Sequence, residues 1–63
     1  MILRIRDLEP GDVVYGGLVV LDVVLPEDDE FCQILCETEE GTPWMIVDRL
    51  ATDTISVERK EAR

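Results

Sequence analysis

Apolar and polar residues alternate along much of the chain with a period of two. Leu3 and Ile5 point one way and Arg4 and Arg6 the other, the mark of a half-buried strand over Met1–Arg6. In Asp7-Leu8-Glu9-Pro10-Gly11-Asp12, proline pre-sets one backbone angle and glycine accepts positive φ, so a turn is expected. Val13 to Tyr15 opens a second extended segment, and Gly16-Gly17 interrupts it with a bulge, a bend or a tight turn. From Leu18 to Leu25 the odd positions Val19, Leu21, Val23 and Leu25 are apolar. So are the even positions Leu18, Val20 and Val24, with Asp22 the exception. A strand apolar on both faces is covered on both sides. In so short a chain, another copy or a partner is expected to supply the second cover.

Pro26-Glu27-Asp28-Asp29-Glu30 reads as an acidic turn. Phe31 to Thr38 fits two patterns. As a strand it turns Cys32, Ile34 and Cys36 inward and Gln33 and Glu37 outward. As a helix it aligns Phe31, Ile34, Leu35 and Thr38, and Pro26 with the acids resembles a helix start. Strand candidates on both sides at hairpin spacing favour the strand, and a helix over residues 28–40 is the alternative. Glu39 to Pro43 forms the next turn, Trp44 to Val47 a short strand, Asp48 to Asp53 a single helical or 3₁₀ turn, and Thr54 to Glu58 a last strand with Ile55 and Val57 on the core face. The expected fold is all-β, a small five-stranded SH3-like barrel over residues 1–58 with a polar tail at 59–63. Closing the sheet would remove its exposed edges.

At 63 residues the chain makes one domain with a thin stability margin, so self-association helps to finish its core. Fifteen acids against six bases give a formal net charge of -9, which opposes direct binding to nucleic acid or an anionic membrane. The longest apolar run is too short to span a bilayer, and no signal-peptide pattern is seen, so a cytoplasmic location is expected.

Candidate chemistry is sparse. There is no histidine, and Cys32 and Cys36 are the only thiols, so no four-ligand Cys/His zinc site is available in one chain. Four residues apart on a strand, the two thiols lie too far apart for a disulfide. The spacing of Glu27, Asp28, Asp29 and Glu30 is not that of a calcium loop. No phosphate loop or nucleophile–base arrangement occurs. Neither enzyme activity nor a cofactor or metal is expected.

Three patches remain as candidate sites. Leu18, Val20, Val24, Trp44 and Ile46 belong to strands apolar on both faces, and a surplus apolar face marks an interface. Glu27, Asp28, Asp29 and Glu30, joined by Glu37, Glu39, Glu40, Asp12, Asp48 and Asp53, form an acidic skin that could imitate DNA phosphates. Arg4, Arg6, Arg59 and Lys60 would gather on one basic wall if the first and last strands run side by side, favouring oriented association.

The segments Asp7-Leu8-Glu9-Pro10-Gly11-Asp12-Val13-Val14, then Gly17 with the Val-rich strand, then a glycine turn and Trp44, and finally Asp53-Thr54-Ile55-Ser56-Val57-Glu58-Arg59 resemble the small SH3-like barrel proteins found in genomes of phages that infect actinobacteria. The resemblance implies the fold and the cytoplasm of an infected bacterium, without a shared activity. The expectation is a non-enzymatic interaction module, a phage accessory protein that forms a dimer or higher homo-oligomer and binds host or phage proteins. An acidic decoy of a host nucleic-acid-binding protein and a minor virion component are the alternatives.

Overall fold

The computed structural model describes residues 1–27 and 31–59. They form an all-β fold, six strands in one open antiparallel sheet. The strands are β1 (Ile2–Arg4), β2 (Val13–Val14), β3 (Leu18–Val24), β4 (Cys32–Glu37), β5 (Pro43–Arg49) and β6 (Thr54–Glu58), in the order β1-β6-β2-β3-β4-β5. A single 3₁₀ turn, Ile5–Asp7, follows β1.

Five strands become six because Tyr15 and Gly16 make a hairpin tip. The Gly17 N–H donates to the Val14 carbonyl at 3.2 Å, and both residues between them have positive φ, 51° at Tyr15 and 74° at Gly16. That is the signature of a type I′ turn, whose twist matches the flanking strands. Pro10-Gly11 behaves as expected. The Asp12 N–H donates to the Glu9 carbonyl at 3.1 Å with Gly11 at φ 97°, which is a type II turn.

Within the helical alternative at 28–40, Cys32–Glu37 is strand, Glu39 and Glu40 are turn, and residues 28–30 lie outside the described residues. Cys32–Glu37 pairs with β3 on one side and β5 on the other, and its burial alternates inside and outside. Hairpin pairing on both flanks outweighs the helical spacing of Ile34 and Leu35. The short helical turn expected at Asp48–Asp53 is a tight turn instead. β5 runs on to Arg49, the Leu50 N–H is capped by the Asp53 carboxylate at 2.8 Å, and the Asp53 N–H reaches the Leu50 carbonyl at 3.0 Å.

The two-faced apolar strand resolves into a bulge. Val20 stands opposite Cys36 and Asp22 opposite Leu35, so Leu21 is an extra residue on β3. Before the bulge Leu18 and Val20 face the core; after it Val23 does, opposite the buried Ile34. An added residue in a strand exchanges the two faces beyond it.

The core joins Ile5, Leu8, Val14, Val20, Cys32, Ile34, Cys36, Ile46, Ile55 and Val57. The sheet coils around it. The Tyr15 hydroxyl at the β2–β3 tip accepts from Arg49 at the end of β5, 2.8 Å from Nη2. The β5–β6 turn is tied to the 3₁₀ turn through Ile5 N–H to Asp53 C=O (2.9 Å) and Arg6 N–H to Ala51 C=O (3.1 Å). Two edges stay open, β1 and β5. No helix among the described residues is long and apolar enough to cross a membrane.

Ile34 is fully buried, whereas its neighbour Leu35 lies on the outer face. Ile34→Ala should cost about 2–5 kcal/mol, on the scale of deleting buried methylenes, and Leu35→Ala less than about 1 kcal/mol. Urea denaturation measures both. Equal costs would fit a helix, which puts both residues on one face, and would contradict the strand.

Candidate interaction surface

Large apolar side chains are exposed along β5 and beside it. Met45 stands opposite Leu35 across the β5–β4 ladder, and the β3 bulge brings Leu21 to the same place. Leu21, Leu35 and Met45, with Cys36, Pro43 and Trp44, line a shallow depression of about 240 Å³. Trp44 is 57% exposed, Val47 52%, Met45 51% and Leu21 48%. Large apolar side chains left half open this close together mark a contact surface more than isolated ones do.

The interface set expected from the sequence is divided by the structure. Val24 and Trp44 are exposed. Val20 and Ile46 are buried in the chain's own core and Leu18 packs against it, so these three present no free face to a partner. The bulge accounts for Val20, whose strand has its inward parity there. Ile46 faces inward because it pairs with Ile34. Leu21, Leu35 and Met45 were outside the expected set. Asp22 was the signal for them: on an unbroken alternation it would face inward with Leu18 and Val20, and only a one-residue shift between Val20 and Asp22 leaves its carboxylate outside.

The described members of the expected basic wall, Arg4, Arg6 and Arg59, are not brought together. β1 and β6 do pair, with Arg4 opposite Thr54. Arg59 lies five residues farther along, so about 17 Å separates them at the rise of a strand. Arg6 is exposed on the 3₁₀ turn, and Lys60 lies outside the described residues. Arg59 is engaged elsewhere. Its Nε and Nη2 donate to the two oxygens of Asp12 at 2.8 and 2.9 Å, and Nη2 also reaches the Asp7 carbonyl at 3.3 Å and Glu9 at 3.6 Å.

Asp12 is therefore no part of an acidic skin. It is 2% exposed, and its Oδ2 also accepts from the Glu9 N–H at 2.9 Å. The hydrogen bonds from Arg59, and then that from Glu9, hold its carboxyl below the usual 3.8 against the opposing effect of burial. Asp53 is half-buried and caps the Leu50 N–H. Of the acidic turn, Glu27 is exposed and Asp28, Asp29 and Glu30 lie outside the described residues. Glu37, Glu39, Glu40 and Asp48 are exposed.

Cys32 and Cys36 are free and buried on the inner face, where loss of solvent raises the Cys36 thiol above its ordinary value. Among the described residues no group of three or more His, Cys, Asp or Glu side chains is placed to hold a metal ion. Comparison with protein-family models, curated proteins and solved structures finds no match.

Asp12→Asn should lower stability near neutral pH by about 2–3 kcal/mol, the scale of hydrogen bonds to a charged group. Because the folded carboxyl sits below 3.8, its contribution is complete above that value and fades as pH falls through the folded one. The gap between the two proteins in denaturant midpoint should therefore close on acidification. A gap that is constant with pH would rule out the ionised clamp.

Proposed function

We propose that this protein is a non-enzymatic interaction module that associates with itself and, in that form, docks on other proteins. The observation that carries the proposal is the exposure of Leu21, Trp44 and Met45 around one depression on an edge strand, with Val47 exposed farther along it. A domain this small leaves little core to spare, so apolar residues of this size outside the core are explained by a covering surface. Tyr15 bonded to Arg49 and the short β5–β6 turn support taking the coiled sheet as an SH3-like barrel left open between β1 and β5. On the resemblance in its turns and last strand, the partners would be proteins of a phage or its bacterial host.

Charge decides how association should respond to salt. Two copies at a net charge of -9 each repel, and added salt screens that repulsion. Association through apolar contacts should strengthen from low to moderate salt. An acidic decoy on a basic partner would weaken.

Sedimentation at micromolar to sub-millimolar concentration should show self-association. Leu21→Lys or Met45→Lys should weaken it at least tenfold, a typical loss when an interface anchor is removed (about 1.4 kcal/mol). A monomer throughout that range would refute the self-association.

A further inference from the structure

We infer that two copies join edge to edge through β5, continuing one sheet into the other about a twofold axis at Met45. The inference rests on the self-association proposed above and specifies its geometry.

The free groups of β5 follow from its hairpin. The Thr38 N–H donates to the Thr42 carbonyl at 2.9 Å, which makes Thr38–Thr42 a hydrogen-bonded pair. Such pairs alternate with non-bonded ones along an antiparallel ladder. Cys36–Trp44 and Ile34–Ile46 are therefore bonded, and Trp44 and Ile46 turn their backbone groups toward β4. Pro43 and Met45 turn theirs to the open edge, Pro43 with a C=O alone.

The two ends of that edge are blunted. Pro43 has no N–H to offer. Beyond Ile46 the register shifts by a residue before Arg49 meets Cys32, a bulge of the kind that disrupts further pairing. Between them the window from Trp44 to Ile46 stays open among the described residues, with Met45 carrying the edge-facing N–H and C=O groups. The other edge, β1, is only three residues long and carries Arg4 before the chain turns away at Ile5, a common way of closing an edge to partners.

A second copy fits this window. On antiparallel pairing about Met45, the two Met45 residues stand opposite each other and exchange two backbone hydrogen bonds. Their side chains are apolar and exposed, so the partner's Met45 extends the apolar surface of the Leu21–Leu35–Met45 depression. Charge favours the same approach. Pro43–Arg49 holds one acid, Asp48, and one base, Arg49. The strand is neutral in a chain of net charge -9, so β5 is where two copies meet with little repulsion.

The 63-residue chain is short enough for chemical synthesis with an N-methyl group on the Met45 amide. This blocks the edge and spares the β4–β5 ladder. The N-methylated protein should keep its circular dichroism and raise the dimer dissociation constant at least tenfold over the unmodified chain. If the unmodified chain associates and N-methylation changes nothing, the copies meet through the sheet face, which overturns the edge geometry and leaves self-association standing. If the unmodified chain is monomeric, both fail. As a readout that does not depend on that modified chain, Met45→Cys chains should oxidise to the symmetric disulfide several-fold faster than Val47→Cys chains. Equal rates overturn the register.

Discussion

Hydrogen bonds from three separate parts of the chain converge on Asp12. Its carboxylate takes two from Arg59 past the end of β6 and one from the Glu9 N–H, and its carbonyl takes one from Val20 on β3 at 2.8 Å. A buried carboxylate without these partners would be costly to keep ionised. With them it fixes the Pro10-Gly11 turn, the start of β2 and the end of β6 relative to β3. The β1-β6-β2-β3 side of the sheet is anchored there. Among the described residues no comparable polar clamp acts on the far strand, where β5 is held by its ladder to β4 and by Arg49 on Tyr15. The sheet has a locked side and an open side.

That asymmetry orders the rest of the surface. Arg59, one of six bases, is used internally, and Arg49 bonds the Tyr15 hydroxyl and lies 4.0 Å from Asp48. Acids remain at the turns, where Glu27, Glu39 and Glu40 are exposed. β5 is long, uncharged over Pro43–Val47 and exposed on Trp44, Met45 and Val47. Repulsion over most of the surface and apolar exposure on one strand are together what the proposed association through that strand rests on.

Much of the fold was legible in the residues. Pro10-Gly11 announced its turn, Thr54–Glu58 its alternation, and the pairing of the first and last strands followed from the expected topology. The strand at Cys32–Glu37 was favoured for the reason that holds in the structure, its hairpin neighbours. What remained hidden were side-chain directions beyond irregularities. Leu18–Leu25 looks apolar on both faces because a bulge at Leu21 exchanges its faces midway, which moved Val20 inside and Leu21 outside. Gly16-Gly17 marked an interruption, but Tyr15 at positive φ, which made it a hairpin tip, was not written in residue type. The Asp12–Arg59 clamp joins residues 47 apart, and no local pattern connects them.

The central claim is that β5 is the strand a second copy covers, and hydrogen exchange of the Met45 amide tests it most directly. This N–H points to the open edge and has no strand beside it among the described residues. Measured by NMR across a dilution series, it should exchange freely at low concentration. As dimer fills, it should become protected by the fraction dimerised, while the Ile34 and Ile46 amides stay protected throughout. A Met45 amide whose exchange is independent of concentration, in a sample shown to be associated, would contradict the account.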